Sequence, residues 1–318
     1  METPELEAEP TPRLGFGCGS VMGRVGRRES LAAMHAAWDA GVTLFDTARS
    51  YGYGEAEALL GEFLAGRRAQ ATVITKFGIV PRPQPLWRRA AKPVVRGVLQ
   101  LLPAARATVR RGLAKDLPAP VFDVRILRDS LEGSLRALRT DYVDVLLAHE
   151  APASVMAQDD LMAALEELVR VGKARRVGIS GTQAVAAEVV ARASVMSVVQ
   201  FPANLYLPVE AGLAEATSFL KIANHTFGEP MRAREAQAKL AAMVDDPAVD
   251  RGLREKLRGD AETRLAEVVF AAVRGEIGAE WIVASMLRPG HVRANVEAIG
   301  SGRFSAAEVQ VIRQYLAR

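Results

Sequence analysis

The chain has 318 residues, 49% hydrophobic and 25% charged, with a net charge of +4 and a single cysteine, Cys18. That composition supplies a sizeable core and excludes a wholly disordered chain; the lone thiol excludes an intrachain disulfide and fits a reducing, cytoplasmic compartment. No apolar run reaches the length of a membrane span, and the modest net charge gives no general affinity for nucleic acid.

Residues 1–12 carry Glu2, Glu5, Glu7 and Glu9 among three prolines, unlike a basic, apolar secretory signal, and read as a flexible tail before a single domain over 13–318. From there short apolar runs alternate with helical patterns, as in βα units around a parallel sheet. Candidate strands lie near Leu14–Cys18, Thr43–Phe45, Thr72–Thr75, Tyr142–Leu147, Arg176–Ile179, Ser197–Gln200, Phe219–Asn224 and Trp281–Ser285. Eight such units predict an α/β chain closed into a (β/α)8 TIM barrel. The helices show as stripes: Leu31, Met34, Ala37 and Trp38 in one, Leu161, Leu165, Leu168 and Val169 in another.

Two stretches are too long for ordinary barrel loops, about residues 79–122 and 229–258, and both are expected as helical insertions on the catalytic face. Nine Lys and Arg residues fall in 82–115 without an acid, so the rest of the chain carries a net charge of −5. Within that segment Trp87–Lys115 is helical in composition but broken by Pro93 and Pro103. It is expected to border the mouth of the active site, with Trp87 nearest the substrate and the arginines favouring anionic substrates.

The chemistry gathers at strand exits. A helical pattern over Ser30–Ala40 stops at Gly41, and the next strand delivers Asp46 at its carboxyl end, where barrel enzymes hold reactive groups. Tyr51 follows on a loop that Gly52 and Gly54 leave free to fold back. Lys76 and His149 leave the third and fourth strands. Taken singly, Asp46 could cap the next helix and Tyr51 could pack in its loop. An Asp, Tyr, Lys and His distributed over successive units is a less ordinary coincidence. A phenol beside an ammonium can protonate a carbonyl oxygen: Lys76 would stabilise the phenolate of Tyr51, Asp46 would hold Lys76, and His149 would orient the carbonyl.

Phe45-Asp46-Thr47-Ala48 with Tyr51, Thr75-Lys76-Phe77-Gly78 and Leu147-Ala148-His149 stand in an order and spacing that resembles the aldo-keto reductase family. Leu14-Gly15-Phe16-Gly17, Val177-Gly178-Ile179-Ser180 and Gln200 extend the resemblance over most of the chain. It implies an NAD(P)H-dependent reductase of aldehydes or ketones, with Asp46, Tyr51, Lys76 and His149 as the tetrad and a small carbonyl or alcohol as substrate. For the nicotinamide carboxamide it implies Ser180 and Gln200, with Gly181 where the family has an asparagine. Asn224 stands where a stacking aromatic is usual, with His225 or Phe227 as the neighbouring substitutes. Gly17, Cys18 and Gly19 fall near the cofactor at the first strand end. Pro289 opens a helix whose free N–H groups suit the cofactor phosphates. Around it the NADP-selective lysine and arginine correspond to Ser285 and His291, and the adenine pair to Ala294 and Asn295. Arg288 and Arg293 remain to meet a 2′-phosphate, which favours NADP over NAD.

Other readings stay open. Gly15, Gly17 and Gly19 lack the third-glycine offset of a dinucleotide fingerprint. His35, His149, His225 and His291 lack metal-ligand spacing, so no metal is expected. Lys76 could instead form a Schiff base in a lyase or aldolase. The departures at Gly181, Asn224 and Ala294 also suit a non-catalytic barrel that senses cofactor for a partner. The sequence leaves the oligomeric state open.

Overall fold

The computed structural model describes residues 13–81, 119–192 and 194–317. Eight parallel strands form a closed barrel in sequence order: β1 (Arg13–Gly17), β2 (Leu44–Asp46), β3 (Thr72–Phe77), β4 (Val143–His149), β5 (Ala174–Ser180), β6 (Val198–Pro202), β7 (Leu220–Asn224) and β8 (Trp281–Ala284). β8 returns to β1 with Leu14 opposite Ile282. All eight expected strands are present. β3 and β4 run two residues further than their apolar stretches, because Lys76 pairs with Leu147 and His149 with Ser180 in the ladder. A backbone N–H and C=O bond to a neighbouring strand whatever the side chain, so a charged residue does not end the strand.

The helices among the described residues are α1 (Arg27–Asp39), α2 (Ala56–Phe63), α3 (Val124–Leu138), α4 (Asp159–Arg170), α5 (Gln183–Val190), α6 (Pro230–Asp245), α7 (Arg251–Leu257), α8 (Ala261–Ile277), α9 (Pro289–Gly300) and α10 (Ala306–Leu316). Their starts are chemically marked. Asp123 accepts from the Ile126 N–H at 2.7 Å, Asp260 from Thr263 at 2.8 Å, and Ser305 with Glu308 forms a capping box. Gly41, at φ +84°, turns the chain out of α1 into β2.

Two apolar layers result. Leu44, Ile74, Val145, Leu147, Val198, Ile222 and Val283 fill the barrel interior. The opposite strand faces, including Phe45, Val73, Leu146 and Ile179, pack against the helices, where the rings of Phe45, Phe63 and Trp38 meet at centroid separations of 5.5 to 6.4 Å.

The second expected insertion is the helix pair α6 and α7, which leaves the carboxyl end of β7. α6 packs on α8 and α10 and buries Ala236, Leu240 and Met243; α7 packs on α6. Of the first insertion, residues 82–118, with Trp87 and the basic segment 82–115, lie outside the described residues, as does the 1–12 tail. One βα unit departs from the regular pattern: the 203–219 connection between β6 and β7 holds turns and no helix. It is tied down by side chains, with Gln183 accepting from the Glu210 N–H at 2.8 Å and Arg313 of α10 donating to the Asn204 and Leu207 carbonyls.

Candidate active site

Strand pleating decides which side chains enter the barrel mouth, because inward and outward positions alternate. Leu44, Ile74, Leu147 and Val198 line the interior, so two residues later Asp46, Lys76, His149 and Gln200 point inward at the carboxyl end. Ser180 stands beside both His149 and Gln200 in the ladder. Five polar side chains from five strands thus converge on one layer, and all are buried.

Lys76 is the hub. Its ammonium donates to Asp46 Oδ1 at 2.6 Å, to the Thr47 carbonyl at 3.0 Å and to Tyr51 Oη at 3.5 Å. Tyr51 comes from the loop after β2, where Gly52 adopts φ +59° with its α-carbon hydrogen packed on the Val21 carbonyl; a Cβ there would sit 2.5 Å from that oxygen. The His149 ring meets the Tyr51 ring edge to face, centroids 5.7 Å apart. The four residues of the sequence-derived tetrad therefore lie together. Tyr51 alone is partly exposed, at the open end.

Gln200 has a place that the sequence did not reveal. It is fully buried; its Nε2 donates to Asp46 Oδ1 at 3.1 Å and its Oε1 accepts from Ser180 Oγ at 2.9 Å. The expected carboxamide pair is thus engaged internally, as an anchor for the carboxylate that holds Lys76. Inward parity two residues beyond Val198 was the available signal. A second anchor, also missed, lies behind the site: buried Glu57 accepts from Thr75 Oγ1 at 2.7 Å and from Arg49 at 2.9 Å.

The electrostatics follow from burial. Burial works against the Lys76 ammonium, but Asp46 and then Tyr51 outweigh it and hold its pKa above the usual lysine value. Burial, with a smaller push from Lys76, lowers His149 to about 3, so its imidazole is neutral. For Tyr51 the expected stabilisation of the phenolate by Lys76 is present, but it does not set the net direction. Burial is the largest influence and raises its pKa, the ammonium offsets only part of that rise, and Asp46 adds to it. Burial likewise pushes up the Cys18 thiol, which stays protonated and behaves as a small packed group.

The other cofactor candidates spread around the mouth. Gly17 is buried against β8, and Gly19 is exposed with the Tyr51 ring 3.8 Å from where a Cβ would stand. Gly181 follows Ser180. At the end of β7, Asn224 Oδ1 and Thr226 Oγ1 are buried and have no hydrogen-bond partner among the described residues. His225 is exposed at φ +48°, whereas Phe227 turns its ring onto Phe270 of α8 at 5.8 Å. The α9 N-terminus has Pro289 at its start and no side-chain cap. Ser285, Arg288 and Arg293 are exposed around it, Asn295 is buried, and His291 lies 3.3 Å from Glu262.

The comparisons agree with this architecture. A chain described as "Aldo-keto reductase YhdN" from Bacillus subtilis is 26% identical over 200 residues, covering 61% of this chain and 50% of the relative. "Methylglyoxal reductase YeaE" from Escherichia coli is 29% identical over 154 residues, covering 48% and 39%. The chain thus spans half or less of the length of these two curated relatives in the matches. An aldo/keto reductase from Klebsiella pneumoniae, solved in complex with NADP and acetate, superposes with a TM-score of 0.61 at 20% identity over 96% of this chain and 91% of that one, a likeness of fold. The family model described as "Aldo/keto reductase family" matches residues 13–228, which holds every strand from β1 to β7 and all four tetrad side chains, and on that match the chain belongs to the aldo/keto reductase family.

Proposed function

We propose that the chain reduces a small aldehyde or ketone to an alcohol with NADPH, Tyr51 giving the proton. The carrying observation is the Tyr51 hydroxyl within 3.5 Å of an ammonium that Asp46 holds at 2.6 Å, at the open end of the barrel. The surroundings fit a dinucleotide. Asn224 Oδ1 and Thr226 Oγ1 are polar atoms without a partner among the described residues, and the uncapped start of α9, flanked by Arg288 and Arg293, suits phosphate. The NADP in the Klebsiella relative's structure supports the same choice. Bound there, a nicotinamide cofactor would supply the hydride to the carbonyl carbon.

The residues of the chain supply the rest. The Tyr51 phenol, kept protonated by burial, donates to the carbonyl oxygen, and the Lys76 ammonium stabilises the phenolate that remains. Asp46, itself held by Gln200, keeps that ammonium charged and in place. Neutral His149 donates an N–H toward the same oxygen and orients the substrate. An amine held as an ammonium by three oxygens lacks the electron pair a Schiff base needs, which weighs against the lyase alternative.

The test is NADPH consumption with a panel of small carbonyls that includes methylglyoxal, the compound in the name of one relative. Tyr51→Phe is expected to lower kcat by ~10²- to 10⁴-fold while NADPH binding, followed by fluorescence, persists. Near-parental turnover in that variant would overturn the assignment. Tight NADPH binding with no turnover of any carbonyl by the parent chain would instead favour a cofactor-sensing barrel.

A further inference from the structure

We propose that Arg49, Glu57 and Thr75 form a brace behind the active site that sets the separation of the Tyr51 hydroxyl from the Lys76 ammonium. Pleating sends Thr75 outward from β3 while its neighbour Lys76 points inward. Outside the barrel Thr75 Oγ1 donates to Glu57 Oε1 at 2.7 Å, and Glu57 Oε2 accepts from Arg49 at 2.9 Å. Arg49 sits two residues before Tyr51 on the loop after β2. One carboxylate, 1% exposed, therefore ties the loop that carries the phenol to the strand that carries the ammonium.

The cradle for the guanidinium is specific. It lies over Gly133 of α3, where an added Cβ would stand 2.9 Å from Nη2 and 3.0 Å from Cζ. The guanidinium thus lies against α3 at Gly133 while its Nη1 donates to Glu57. The contact it sets is sensitive, because the Tyr51 Oη to Lys76 Nζ distance of 3.5 Å is at the outer limit of a hydrogen bond. A shift of a fraction of an ångström would part the two groups. These are positioning residues: each acts through Tyr51 or Lys76.

The inference rests on the proposed carbonyl chemistry for its kinetic readout alone, so a second readout needs no turnover. The ionisation of Tyr51 is followed by ultraviolet absorbance, as the difference between a chain and its Tyr51→Phe counterpart. Gly133→Ala displaces Arg49 without changing any charge, and Thr75→Val removes the link to β3. In each, the Tyr51 transition is expected to move to higher pH as the ammonium withdraws, and kcat to fall on the order of tenfold with KM little changed. Thr75→Ser keeps the hydroxyl and should behave as the parent. In an Arg49→Met background, Gly133→Ala should cost nothing further, since no guanidinium remains to displace. A parental Tyr51 titration in either folded variant would overturn the brace, and Thr75→Val decides alone if Gly133→Ala does not fold. A parent that turns over no carbonyl refutes the proposed function and leaves the titration to judge the brace.

Discussion

Asp46 and Lys76 meet with side chains 6% and 1% exposed, so neither charge has water to fall back on. Removing one charge strands the other. Asp46→Asn should therefore cost about 3–5 kcal/mol of stability, the usual range for breaking a buried pair, read from urea unfolding of the parent and variant. A loss under about 1 kcal/mol would mean that the Thr47 carbonyl and Tyr51 hold the ammonium unaided. His149 gives a pH signature of known sign. Its folded pKa of about 3 lies below the unfolded value of 6.5, so below 6.5 the unfolded chain binds a proton that the folded chain refuses. Stability is complete above that value and falls as the pH drops toward the folded pKa, by roughly 1.4 kcal/mol per unit or about 3 kcal/mol at pH ~4. His149→Asn should flatten this part of the stability profile. An equal acid loss in both proteins would show that other groups cause it.

Helix propensity and helix packing disagree for α2, and packing wins. An alanine in place of a mid-helix glycine ordinarily adds ~1 kcal/mol. At Gly61, however, a Cβ would meet the Ala137 carbonyl oxygen at 2.5 Å and the Leu138 backbone at 2.6 and 2.7 Å, atoms that cannot swing aside. Gly61→Ala should lower stability by about 1–3 kcal/mol, as an overpacked contact between α2 and α3. Gly275 in α8 is the counterpart, with only the Ala306 Cβ within 4.0 Å. Gly275→Ala should raise the Tm of the chain while Gly61→Ala lowers it; movement in the same direction would mean that α2 and α3 are not held at this spacing.

The barrel closes with one connection, 203–219, that brings no helix of its own, and the carboxyl-terminal α10 takes over part of its support. Arg313 of α10 bonds the Asn204 and Leu207 carbonyls at 3.4 Å and pairs with Glu276 of α8 at 2.7 Å, with both side chains largely buried. α10 also buries Val309, Ile312 and Leu316 and receives Lys239 from α6 at the Leu316 carbonyl, 2.8 Å away. The last helix is therefore tied to the 203–219 connection, α6 and α8 together. Arg313→Met should cost about 2 kcal/mol through its charged hydrogen bonds. Protease cleavage should then begin within 203–219, and first cleavage elsewhere would refute this staple.

Local pattern was enough to count the strands and to find the strand ends that carry the candidate site, because strand periodicity, helix stops such as Gly41 and the residues at each exit are written along the chain. The aldo-keto reductase motifs at Asp46, Tyr51, Lys76 and His149 were legible for the same reason. The tertiary structure decided what depends on neighbours remote in sequence. Gln200 reaches Asp46 across 154 positions, a contact that no local pattern announces. The brace from Arg49 through Glu57 to Thr75 needs α2 laid against β3 before any of its bonds exist. The help that Lys76 gives the Tyr51 phenolate was legible, but the larger opposing effect of burial was not, because desolvation is a property of the whole surrounding and no spacing of residues records how much water is left.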